Sequence, residues 1–311
     1  MNFELTQPKH LISLASSSLI VSVDVNVWTA TKQDRKIANE VTASKNADAD
    51  AGRFTKNLLS HSPQHKALLN YRQTVYNWLQ RCTYDWNGSA RIIPTFKIEK
   101  LMKEFSAHET AFNDLLNKFE AAYPSLVSDA AFKQGSMFDV TEYPDVSELR
   151  SKFRIRLFTH PVPADDFRTG GIASAIADDL KKHYENQVQD IVNQVMDDAT
   201  QRMLSYATRL RNACEEVKAE ADEEAKSGKT KRRKIYEATF DNVREMSELL
   251  KHFNLTNNPE IEQARAKLEQ ALTGVSLSDL RESAYTRATV KDDLDDVLKM
   301  FAPINLDREE E

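Results

Sequence analysis

Chemistry in this chain has few residues to start from. His61 and His65 stand four apart, the spacing at which two imidazoles share a helix face and can ligate a metal. Pro63 lies between them, so His61 precedes the helix rather than standing on it, and no third ligand is evident. The pair reads as ordinary surface histidines. Gly170-Gly171 ahead of a helical pattern can offer backbone N–H groups to an anion. It lacks the lysine and the fuller glycine pattern of a phosphate-binding loop, so it reads as a hinge. Serines and acids are abundant, but none is a glycine-flanked nucleophile. Cys82 and Cys214 are the two cysteines. They read as buried, inert thiols of a reducing compartment. The expectation is a protein with no catalytic residues, no cofactor and no metal.

Two constellations are better suited to recognition than to catalysis. Trp86 with Arg91 can form a stacking platform for a base or a partner side chain. Alternatively, Trp86 fills a gap between helix ends and Arg91 pairs with a nearby acid. The second constellation is the basic run Lys226, Lys229, Lys231, Arg232, Arg233 and Lys234. It follows directly on Glu215, Glu216, Glu220, Asp222, Glu223 and Glu224. Three readings stay open: a solvated hairpin tip, a contact between identical subunits, or nucleic-acid binding through residues 229–234. In the first, the bases fold back on the acids of their own chain. In the second, they meet the acids of a neighbour.

Composition narrows the classes. The chain has 311 residues, 29% of them charged, with 7 glycines and a formal net charge of -6. A helix-rich protein with ample core fits these values. The net charge supplies no global field for nucleic acid or membranes. No run approaches the ~20 apolar residues of a membrane span. The apolar-leaning run Leu11 to Val27 is broken by Asp24 and several serines and lacks a basic region, so it does not read as a signal peptide. A cytoplasmic protein without membrane partners is expected.

The elements that must carry these residues are mostly helical. From about Gly171 to Ala225, Ile172, Ile176, Leu180, Tyr184, Val188, Ile191, Val195, Ala199, Met203, Tyr206, Leu210, Cys214 and Val217 recur every three or four residues. That is one stripe of a helix, and roughly 50 residues would span about 75 Å. The basic run opens a second helix to about His252, giving a helical hairpin. Ser62-Pro63 starts a helix that ends near Cys82, and Thr95 caps another in which Pro124 predicts a kink or restart. Tyr84 to Ser89 reads as a turn. Val21, Val23, Val25 and Val27 alternate with polar residues, and Phe153 to Phe158 alternates again. These two stretches predict a strand pair, about 20–28 with 153–158. The fold expected is mainly α, with long amphipathic helices, a helical hairpin and a small strand pair in the N-terminal half. An N-terminal α+β module would cover 1–168 and a helical module 169–311. The long stripe exceeds what one domain easily buries, which predicts self-association.

Val27-Trp28 at the end of the first strand, the segment Trp86-Asn87-Gly88-Ser89-Ala90-Arg91-Ile92-Ile93-Pro94, and Tyr143-Pro144 before the second strand carry a resemblance. Together they resemble a phage- and proteobacteria-associated domain family of unknown function, over roughly residues 10 to 300. That family has no established catalytic residues to carry over. Some of its members are encoded beside MoxR-type AAA+ ATPases. The resemblance implies a phage protein in the host cytoplasm, with an AAA+ ATPase as a candidate partner.

Overall fold

Residues 14–59, 62–163, 174–217, 231–256 and 258–301 are described by the computed structural model. The chain divides into two compact units: Leu19–Pro161, and the described chain on either side of it.

In the first unit, the valine alternation produces strand β1, Ser18–Asn26, whose Val21, Val23 and Val25 point into the core. It pairs antiparallel with β6, Arg154–Pro161, from Leu19↔Pro161 to Asn26↔Arg154. This is the strand pair read from the sequence. The sheet is larger, however. Tyr84–Asn87 (β4) and Ala90–Pro94 (β5) form a hairpin, so the segment read as a turn is mostly strand. Gly88 supplies the positive φ of +60° that the two-residue loop requires. The order across the sheet is β4-β5-β1-β6.

A second ribbon pairs β2, Thr31–Gln33, with β3, Thr55–Asn57. Helix α1, Arg35–Ser44, lies between them in sequence, and the Asp34 carboxylate caps it by accepting the N–H groups of Lys36 and Ile37. Helix α2, Pro63–Cys82, begins as expected, with Ser62 Oγ accepting from the His65 N–H at 3.1 Å and Pro63 in the first turn. Helix α3, Ile98–Gln134, is one continuous element of 37 residues that passes through Pro124 without a restart. Pro124 is exposed, so the hydrogen bond it cannot donate opens toward water. The short helix α4 is Val146–Leu149. The core joins the β1 valines and Ile93 to Leu68, Val75 and Trp78 of α2 and to Phe105, Phe112, Phe119 and Tyr123 of α3. Phe153 completes it.

The second unit is organised on α5, Ser174–Cys214, whose 41 residues span about 60 Å. Shorter helices pack with it: α6 (Glu237–Phe253), α7 (Pro259–Leu272), the single turn-and-a-half α8 (Leu277–Glu282) and α9 (Ala284–Met300). α5 touches α6 and α9, and α7 touches the same two, which closes a four-helix ring. Val188, Val192, Val195, Met196, Ala199, Met203, Ala207, Leu210 and Cys214 bury the inner face of α5. Asn258, Ser276 and Ser283 cap the three helices that follow α6.

The hairpin between α5 and α6 differs from its sequence reading. The long helix ends at Cys214, and Glu216–Val217 (β7) pairs antiparallel with Lys231–Arg232 (β8). The basic run is therefore not the start of α6, which begins at Glu237. Helix dipoles account for both limits. Carboxylates are unfavourable in the last turn of a helix and cations in the first, which suits an end at Cys214 ahead of Glu215 and Glu216 and a start at Glu237 after Lys234.

Candidate functional site

The hairpin residues are committed to the fold. Trp86 shares a strand face with Tyr84 and Ile92 and is only 9% exposed. Arg91 donates from Nε to Thr83 Oγ1 at 3.0 Å, from Nη1 to Asp85 Oδ1 at 3.1 Å and from Nη2 to the Thr83 carbonyl at 3.1 Å. Its guanidinium thus fastens the hairpin to the C-terminal end of α2 and pairs with an acid. No open stacking face is formed by these two residues.

The basic segment is likewise anchored. Val217 and Glu216 pair with Lys231 and Arg232 through the backbone. Arg233, exposed, donates from Nη1 to the Asn212 carbonyl at 3.2 Å, a free acceptor in the last turn of α5. Lys234 Nζ lies 5.3 Å from the centre of the Tyr236 ring. Arg281 donates to the Ile235 carbonyl through Nε and Nη2, and the buried Arg287 donates to the Arg233 carbonyl. Nearby, Arg211 bridges α5 to α9 through Asp295 at 2.7 Å and also reaches Glu215 at 3.4 Å. Of the two blocks, backbone pairing sets Glu216 opposite Arg232. Lys226, Lys229 and the acids from Glu220 to Glu224 lie outside the described residues.

A third cluster had no signal in the sequence. Lys56 on β3 is buried, and its ammonium donates to the Met137 carbonyl at 2.6 Å. It also stands 2.5 Å from Glu142 Oε2 and 3.8 Å from Asp34 Oδ2. Next to it, Gln134 Nε2 donates to the carbonyls of Asn57 and Leu58, and Tyr143 donates to Leu58. These groups lock the β2–β3 ribbon to the end of α3. They form one wall of an open cleft of roughly 1140 Å³ between α1 and residues 136–142, rimmed by Ile37, Met137 and Val140. Asp139, also on the rim, has its carboxyl held below the usual range. Hydrogen bonds from Thr141 are the main cause, and the charges of Lys56 and Lys32 add to it. The cleft holds ion pairs whose donors are already spent.

The remaining reactive groups are quenched by their surroundings. His65 is buried rather than on the surface, because the first turn of α2 faces the core. Its Nε2 lies 2.6 Å from the Trp28 carbonyl, and burial lowers its pKa against the raising effect of that bond. His108 accepts from or donates to Tyr71 Oη at 2.8 Å and is lowered by burial as well. Cys82, half-buried, and Cys214, buried, are both pushed up to about 11, burial being the largest cause. At neutral pH such thiols hold almost no thiolate. Among the described residues, no three His, Cys, Asp or Glu side chains are grouped to hold a metal ion. His61 lies outside the described residues.

The apolar stripe of α5 is only partly covered. No side chain from Asp179 to Gln187 is buried, whereas Val188 onward contributes a buried residue at every turn. Leu180 and Tyr184 continue the stripe of Val188 at four-residue intervals, and Leu180 is 42% exposed. Tyr184 uses its hydroxyl to donate to the Pro163 carbonyl at 2.7 Å. The described helices offer no helix long and apolar enough to cross a membrane. The chain matches no protein-family model, no curated protein and no solved structure.

Proposed function

We propose that this chain is a non-catalytic interaction or assembly protein that self-associates through its long helix. The observation that supports this reading is the outer section of α5. It carries the apolar stripe of the bundle beyond the last buried position, with Leu180 exposed. Helices of that length gain most of their stability from packing an apolar face, so an unpacked extension favours a partner. A second copy supplies the same stripe and gives an isologous pairing. The motif resemblance supports a narrower role as an accessory partner of an AAA+ ATPase in a phage-infected host cytoplasm.

Light scattering across a concentration series tests the assembly step. Mass above that of the monomer is expected at high micromolar concentration, and Leu180→Glu is expected to return it toward the monomer without changing helix content. A strict monomer throughout the series overturns the reading.

A further inference from the structure

Strand β6 forms one side of the four-stranded sheet, with β1 as its neighbour and no described strand beyond it. An edge strand presents a row of N–H and C=O groups that can pair with another chain. The other edge is blunted: β4 has 4 residues and a register shift between Asp85 and Asn87. β6 is different. Its 8 residues pair with β1 without interruption, and its proline is the last of them. From Phe158 to Pro161 every residue is exposed.

The side chains of β6 define what can lie beside it. Arg154, Arg156 and Phe158 alternate onto one face of the sheet. Phe158 is 41% exposed. Asp24 is the register partner of Arg156, yet its carboxylate is taken diagonally by Arg154, at 2.6 Å from Nη2. Arg156 has no counter-ion among the described residues and is exposed. Residues directly opposite in paired strands lie about 5 Å apart, where unlike charges attract and like charges repel. An edge arginine therefore rejects basic strands and selects acidic ones.

We propose that the β6 edge receives an extended acidic segment of a partner protein, added as a fifth strand. A carboxylate of that segment sits against Arg156 and an apolar side chain two residues along sits against Phe158. Main-chain bonds supply the affinity and the alternating side chains supply the selection. The proposal does not depend on assembly through α5, so Leu180→Glu leaves it unchanged.

The test uses the full chain and a fluorescein-labelled peptide alternating glutamate with valine, read by anisotropy and by hydrogen–deuterium exchange. Saturable binding, weakening with salt, is expected, with slowed exchange confined to 154–161. Arg156→Glu should weaken it by about twofold to thirtyfold. Should that variant lose its native circular dichroism, Arg156→Gln is used and a smaller loss is expected. Unchanged exchange in 154–161 at saturating peptide overturns the proposal. So does equal binding of a lysine–valine peptide. Slowing in 154–161 that grows with protein concentration in the absence of peptide would assign the edge to a second copy and overturn it as well.

Discussion

Lys56 is the residue with the heaviest obligations. Its side chain is 4% exposed and that of Glu142 is 15% exposed, so both charges are largely withdrawn from water. Each is tolerable because the other is present and because the Met137 carbonyl accepts a hydrogen bond from the ammonium. Removing the cation alone strands a buried carboxylate. Lys56→Met is therefore expected to lower stability by about 3–5 kcal/mol in chemical denaturation, most of which returns when Glu142→Leu is added. A single-variant loss below about 1 kcal/mol would mean that the pair behaves as a surface pair. Arg91 and Arg287 show the same logic in milder form, each spending its guanidinium on carbonyl groups that helix or strand ends leave free.

Among the elements, α3 carries an avoidable cost. Pro124 removes one helical N–H and clashes with the preceding turn, yet the helix continues on both sides of it. The residue is exposed. Pro124→Ala is expected to raise the stability of the protein by about 1–3 kcal/mol, seen as a higher melting temperature. A lower one would show that the ring's packing or its rigid φ is needed. This helix and its neighbours were legible because an apolar stripe every three or four residues is written locally. So was β1, in which Val21, Val23 and Val25 alternate with polar residues. Phase was less legible: α5 buries Val192, Met196 and Ala207 where the stripe suggested Ile191 and Tyr206. Two helices, α6 and α9, cover α5, and the face they bury is wider than one stripe. The β2–β3 ribbon left no pattern, since its strands have 3 residues each and β2 is exposed throughout. Lys56, Gln134 and Glu142 were equally silent, because their meeting depends on the tertiary path and not on spacing. Apolar periodicity carries no sign of the dipole penalty of Glu215 and Glu216, so the stripe runs past the end of α5 at Cys214.

For the whole molecule, the decisive feature is that the first unit is one continuous stretch of chain between two parts of the second. Leu19 and Pro161 bound the first unit, and they are direct register partners in the β1–β6 ladder. Partnered antiparallel residues have Cα atoms about 5 Å apart. The two ends of the first unit thus lie close together, the arrangement in which a domain can be inserted or removed. The second unit has its own core, from Val188 on α5 through Phe240, Leu250, Leu268, Leu294 and Phe301. It also has its own ion pairs, such as Arg211 with Asp295. A chain joining Ser18 to Val162 through a short Gly-Ser linker is therefore expected to fold without residues 19–161. Circular dichroism should show a higher helix signal per residue than the full chain, because all four strands of the sheet are removed, together with a cooperative thermal transition. The same chain keeps Leu180 and the outer part of α5, so its mass by light scattering should rise with concentration as the full chain's does. A cooperative but strictly monomeric deletion protein, beside a full chain that associates, would move the assembly surface off α5 and into the removed unit. A deletion protein without a cooperative transition would show that the four-helix ring needs the inserted unit to fold.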